Sequence, residues 1–224
     1  MKTQRRVYVS TAIAPQEFFA LSESEEVPMT MQIAMVGTDR IILASDLKWG
    51  GEAGGSRETH LAPKIKFNDA IGIGVACSEA EVSLNIATNI LNQFKESDHE
   101  SPCLSLELIA RRSMERFDRA KVARPQSHCP IVLRGKPFRL YSLRVGLEGQ
   151  NCTEVFNKRR AGDPGNPAMF FTEAYYSRRP ISELTFLAAH IVLTAARFNP
   201  EGIGGLEILL AHEKTGFGLL PSGR

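Results

Sequence analysis

Thr30, Asp46 and Lys64 frame a stretch that leaves this chain few ways to fold. From the threonine to the aspartate runs Met31-Gln32-Ile33-Ala34-Met35-Val36-Gly37, then Thr38-Asp39-Arg40, then Ile41-Ile42-Leu43-Ala44-Ser45. Two apolar, β-branched-rich runs flanking a short polar break read as strand, tight turn, strand. Ala62-Pro63-Lys64-Ile65-Lys66-Phe67 then opens a further strand with a lysine. A threonine opening one strand, an acid closing the next and a lysine opening a third can meet at one end of a sheet. Such a meeting brings a weak hydroxyl nucleophile, an ammonium and its carboxylate partner together.

The remaining pattern alternates in blocks. Ile71-Gly72-Ile73-Gly74-Val75-Ala76 is a small-residue strand, which predicts close packing against a neighbour. Ser78 and Glu81 read as a capping box. Val82, Ile86, Ile90 and Phe94, with Leu84 and Leu91, follow at helical spacing. After a polar break, a second helix carries Leu104, Ser105, Leu108 and Phe117 and ends near Lys121. Strands are predicted at 130–133, 138–145 and 153–156, the first two joined by Arg134-Gly135-Lys136-Pro137. A third helix is predicted over 167–176. A fourth starts at Pro180, with Leu184, Leu187, Ala188, Ile191 and Ala195 facing inward. Gly204-Gly205 precedes a final strand pair, 206–211 and 217–220. Strands in runs, followed by helices in pairs, predict an α+β fold with two sheets between two helix layers, a four-layer αββα sandwich. They argue against a doubly wound parallel sheet.

Composition narrows the function. At 224 residues the chain is one domain with at most a small appendage, large enough for a sizeable core. A net charge of +2 gives no electrostatic basis for binding nucleic acid or an anionic membrane. Arg111-Arg112 and Lys158-Arg159-Arg160 are short and read as solvated. No apolar run reaches the roughly 18 residues of a membrane span. Cys77, Cys103, Cys129 and Cys152 have no metal-ligand spacing and fit free thiols in a reducing cytoplasm. No cofactor or metal site is expected. His190, on an apolar helix face, reads as a core residue. Gly50-Gly51-Glu52-Ala53-Gly54-Gly55 lacks the lysine ending of a phosphate loop, so it reads as a flexible hairpin loop, with Trp49 beside it as a substrate contact.

Residues 1–29 form an N-terminal extension to a domain spanning 30–224. Met1-Lys2-Thr3-Gln4-Arg5-Arg6 is basic but no apolar stretch of signal-peptide length follows. Glu25-Glu26-Val27 can be encoded GAGGAGGT, a ribosome-binding-like sequence just upstream of an ATG at Met29. Three readings stand: translation starts at Met29, the segment is a cleaved propeptide, or it is a retained arm. In the first, aminopeptidase removal of Met29 exposes the Thr30 amine.

The run from Thr30 to Asp46, the Lys64-Ile65-Lys66-Phe67-Asn68-Asp69 strand with the glycine-rich strand after it, and Gly204-Gly205-Leu206-Glu207-Ile208 together resemble the proteasome subunit family. The likeness is to its β-type, N-terminal-nucleophile hydrolase members, as in bacterial proteasome-like proteins. It extends over essentially 30–220. It implies Thr30 as nucleophile, its own freed amine as base, Lys64 as the charge beside the hydroxyl and Asp46 as the partner of Lys64. It implies the backbone N–H at Cys77 as oxyanion donor, where the family has glycine. It further implies a peptide or unfolded-polypeptide substrate and a homo-oligomer, ring or dimer. The chain departs from the family at Gly162-Asp163-Pro164-Gly165-Asn166, which lacks the family's serine, and at Pro200-Glu201-Gly202-Ile203-Gly204-Gly205, which lacks its aspartate and serine. Asn166, Asn199 and Glu201 are candidate replacements. Position 29 is methionine, where self-cleaving members have glycine. These departures keep a second implication open, a catalytically inactive ring or scaffold subunit.

Overall fold

The computed structural model describes residues 30–53, 56–78, 81–119, 127–146, 148–162 and 165–220. The 1–29 extension lies outside these residues, and the side chains of Glu81, expected to form a capping box with Ser78, and of Phe117 are not among those described. The elements run β1 (Met31–Val36), β2 (Arg40–Ser45), β3 (Lys48–Ala53), β4 (Ser56–Leu61), β5 (Ile65–Asn68) and β6 (Ile73–Ala76), then α1 (Glu81–Gln93) and α2 (Pro102–Arg119). Next come β7 (Ser127–Leu133), β8 (Arg139–Gly146), β9 (Gly149–Val155) and β10 (Lys158–Gly162), then α3 (Met169–Tyr175), α4 (Ile181–Phe198), β11 (Glu207–His212) and β12 (Gly216–Leu219). The class is α+β.

Two five-stranded antiparallel sheets carry the domain, in the orders β10-β1-β2-β11-β12 and β5-β6-β7-β8-β9. Every residue of β1 is buried, because this central strand is covered on both faces. Met31, Ile33 and Met35 point one way, into a cluster with Leu184, Ala188, Ile191 and Val192 of α4. Ala34 and Val36 point the other way, and with Ile41 and Leu43 they meet Ile65, Val132 and Leu140 of the second sheet. The second sheet's other face, through Ile73, Val75, Ile131 and Leu133, packs against α1 and α2 by way of Val82, Ile86, Ile90, Leu106 and Ile109. Each strand's period of two therefore serves two cores at once.

The structure departs from the expected pattern at several places. Of the segment read as a loop after Trp49, residues 50–53 are strand: β3 and β4 pair along their full length as a separate two-stranded sheet, while residues 54 and 55 lie outside the described residues. Lys158-Arg159-Arg160 is not merely a solvated charge run. It forms β10, an edge strand on β1, held by Lys158 to Glu173 at 2.8 Å and by Arg159 Nε to His128 Nε2 at 3.0 Å. In α2 the inward stripe is Leu106, Ile109, Ala110, Ser113 and Met114, whereas Leu104 and Leu108 are exposed. His190 is exposed too, with its ring edge on Phe171.

Only α4, among the described residues, is long and apolar enough to cross a membrane, with mean hydropathy 1.3. Its inner face, including Ile181, Leu184, Ala188 and Ile191, is buried.

Leu43 is 1% exposed and sits between the two sheets. Leu43→Ala is expected to destabilise the fold by about 2–5 kcal/mol. Urea unfolding with an unchanged slope checks this; a loss below about 1 kcal/mol would contradict a close-packed core between the sheets.

Candidate active site at Thr30

β1 and β2 form one hairpin, so the residue before β1 and the residue after β2 emerge side by side. The register pairs Gln32 with Ser45, and the Asp46 N–H donates to the Met31 carbonyl at 3.1 Å. This places Thr30 against Asp46. Lys64, just before β5, arrives from the other sheet. The three residues selected from the sequence are thereby brought together, each 1% exposed or less.

The contacts are specific. The Thr30 hydroxyl donates to Asp46 Oδ1 at 2.8 Å and accepts from Lys64 Nζ at 3.1 Å. Lys64 Nζ also donates to both Asp46 oxygens, at 3.1 and 2.9 Å. Asp46 further accepts the backbone N–H of Met31 at 2.9 Å and of Lys48 at 3.0 Å. All three ammonium protons have acceptors, and the carboxylate accepts five hydrogen bonds from four groups. A buried ion pair needs such saturation to offset its desolvation. The Trp49 ring adds a face to the ammonium at 5.7 Å, while its indole N–H donates to the Ala62 carbonyl. Trp49 is therefore a wall of the site.

The backbone around Thr30 leaves no slack. Gly162, at the end of β10, has φ +113, and a Cβ there would lie 1.8 Å from the Thr30 carbonyl oxygen. Only glycine lets β10 close on β1 at this point. On the other side the loop before β11 is tied to the residues after Asp46: Leu47 N–H donates to the Gly204 carbonyl at 2.8 Å and Lys48 Nζ to the Pro200 carbonyl at 2.6 Å.

Cys77 stands next to Lys64, but its backbone N–H is committed. It donates to the Lys64 carbonyl at 3.0 Å, and the thiol donates to the same oxygen at 2.9 Å. An oxyanion would have to displace that bond to use the Cys77 donor. Burial, with Cys129 nearby, pushes the Cys77 thiol up to about 12, so it is not a rival nucleophile near neutral pH. Asn166 is buried and holds the Ala168 N–H and the Ala195 carbonyl. Asn199 accepts the Gly202 N–H, and Glu201 is exposed. Among the described residues, none of these hydrogen bonds of Asn166 and Asn199 reaches Thr30.

Two features escaped the sequence reading. Glu207 on β11 is buried, and one of its oxygens takes the backbone N–H groups of both Lys64 and Ile65. Its visible signal is a lone carboxylate inside an apolar strand. A second pairing, Ser142 Oγ to His128 Nε2 at 2.8 Å, has the look of a serine–histidine dyad. Arg159 donates to the same nitrogen, and burial with that guanidinium lowers His128 to about 3. A base near neutrality cannot be made from it, and the three residues act as a polar tie between β8, β7 and β10.

A cleft of about 640 Å³ lined by Ile71, His99, Arg134, Lys136 and Lys214 shares no residue with the Thr30 site. Among the described residues no three His, Cys, Asp or Glu side chains converge as metal ligands. Compared with known protein families and with curated proteins, the chain matches no family model and no curated sequence.

Asp46→Asn leaves the buried ammonium uncompensated and is expected to cost about 3–5 kcal/mol, as is Lys64→Met. The double variant is expected to cost clearly less than the sum. Chemical unfolding of all four proteins checks this; additive losses would contradict a tight pair.

Proposed function

We propose that this chain is a threonine-type N-terminal-nucleophile peptidase, similar to proteasome β subunits, acting on peptides or unfolded polypeptides. The observation that carries the reading is the Thr30 hydroxyl held between the Lys64 ammonium and Asp46 at the end of the β1–β2 hairpin. The three hydrophobic clusters support the finer fold assignment, a four-layer αββα sandwich of the N-terminal-nucleophile type. By the same resemblance the protein works as a homo-oligomer, ring or dimer; its sparse cysteines fit the cytoplasm, and the proposed chemistry requires no cofactor.

The chemistry in this reading follows from the arrangement. With Thr30 at the N-terminus, its amine takes the proton from the hydroxyl, and Oγ1 attacks the carbonyl carbon of the scissile bond. The Lys64 ammonium, 3.1 Å away, stabilises negative charge on Oγ1. The C–N bond breaks, the amine passes its proton to the leaving nitrogen, and an ester remains on Oγ1. Water gives a proton to the same amine, attacks the ester and releases the acid, and the proton returns to Oγ1. An α-amine suits the task because its ordinary pKa of about 8 lies near neutrality. Asp46, through both its oxygens, holds Lys64 aimed at the hydroxyl.

A second reading is favoured by one observation. The Cys77 N–H, expected to face the oxyanion, is bonded to the Lys64 carbonyl. A subunit without that donor fits a non-catalytic ring or scaffold role.

An amide nitrogen has no usable lone pair, so a chain that keeps residues 1–29 is expected to be inert. A chain starting at Met29 is expected to lose that methionine and to hydrolyse peptides. Thr30→Ala is expected to abolish turnover, and Lys64→Ala to lower it by about 10²–10³-fold. Peptidase assays at equal assembly state, with N-terminal sequencing, check all three. Equal rates from a demonstrably unprocessed 1–224 chain would rule the mechanism out. Silence from both forms would favour the scaffold reading.

A further inference from the structure

Glu207 stands out in the run Leu206-Glu207-Ile208-Leu209-Leu210, where every neighbour is apolar. It is 7% exposed, and it shares its side of β11 with Leu209, which lies in the core between the two sheets. Across the first sheet the register sets it opposite Ser45, and Ser45 opposite Gln32. From there its Oε1 crosses to the second sheet. It accepts the N–H of Ile65 at 2.7 Å and that of Lys64 in a still closer contact. The Lys64 carbonyl is held by Cys77. Both backbone groups of Lys64 are thus anchored, and the N–H anchor belongs to the same sheet as Thr30 and Asp46.

We propose that Glu207 is a positioning residue for Lys64: by gripping the Lys64 and Ile65 amides across the gap between the sheets, it fixes the point from which the ammonium reaches the Thr30 hydroxyl. This role in catalysis rests on the reading of Thr30 as nucleophile. Glu207 touches neither Thr30 nor the ammonium; it acts through the start of β5. A carboxylate binds two amides more strongly than a neutral group does, so ionisation of Glu207 tightens a grip that a neutral acceptor oxygen already makes.

That charge changes near neutrality. Burial, with the Asp46 carboxylate adding to it, raises Glu207 to about 7, against the pull of the two amides and the Lys66 ammonium. The groups facing it are Asp46 after β2, Lys64 and Lys66 at β5, and the Cys77 thiol after β6. Ser45 and Gln32, on β2 and β1, are uncharged, and their buried polar atoms have no partner among the described residues. The grip therefore strengthens as pH rises through about 7. The linkage to stability has the opposite sign. A carboxyl whose folded value is raised from 4.5 to about 7 stabilises the fold fully below 4.5, and that contribution is lost as pH rises to about 7.

The test uses Glu207→Gln, which keeps an acceptor oxygen and cannot ionise, and Glu207→Ala, which removes the acceptor. Hydrogen exchange in the full chain reads the grip without reference to activity. Amides 64 and 65 are expected to exchange at least about tenfold faster in the alanine variant, and the glutamine variant to restore protection. Acylation of Thr30 by a peptide β-lactone, in the form that reacts, reads the positioning. The alanine variant is expected to lose about 10–100-fold in maximal rate with the half-saturating lactone concentration unchanged. The glutamine variant is expected to recover most of that rate while losing the inflection near pH 7. Unchanged exchange at 64 and 65 overturns the grip. Changed exchange with a parental rate and pH profile overturns the positioning role. Changed exchange in a parent that never acylates refutes the nucleophile reading, and the catalytic role of Glu207 falls with it.

Discussion

The contact between Lys64 and Asp46 is the constraint on which the rest of this structure depends. Both groups are fully buried, and each comes from a different sheet. A lone ammonium or carboxylate in such a place would be prohibitively costly. Each is therefore held only where the other, and every spare proton and lone pair, is satisfied. Satisfying them fixes the end of β2 against the start of β5, and so fixes how the sheets meet at this end. Thr30 is drawn in because its hydroxyl fills one remaining position on each partner. The position of the Thr30 hydroxyl is a by-product of saturating a buried ion pair.

The sheets then do the rest. β1 has neighbours on both faces and both edges, so Thr30 hangs from a fully buried strand. Gly162 and the Lys48–Pro200 bond close the surroundings from either side. Trp49 and Glu207 hold the lysine from its head and from its backbone. In the proposed peptidase, this second set of contacts would matter for rate, since misplacement by about 1 Å can cost a hundredfold.

Much of this was legible in the chain. The hairpin from Thr30 to Asp46 declares itself by two apolar runs about a polar turn, and α1 and α4 by their spacing. The phase of α2 was ambiguous, because Leu104 and Leu108 offer one stripe and Leu106, Ile109 and Ala110 another, and only the sheet beneath decides. β10 was hidden because Lys158, Arg159 and Arg160 carry strand-incompatible charges that Glu173 and His128 accommodate from distant parts of the sequence. β3 was hidden by its glycines and β4 by its polar residues, since backbone pairing leaves no trace in composition. The Thr30–Asp46–Lys64 set was visible because spacing in a hairpin translates directly into proximity. Glu207 was not, because its partners are backbone amides more than 140 residues away.

The central claim is that Thr30, with a free amine, is the nucleophile. Incubating the protein with a peptide β-lactone or epoxide and locating the adduct by mass mapping tests it most directly. A single adduct on Thr30, absent from Thr30→Ala and from any chain that keeps residues before Thr30, is the predicted result. A chain with a proven free Thr30 amine that stays unmodified, or is modified elsewhere, would contradict the account.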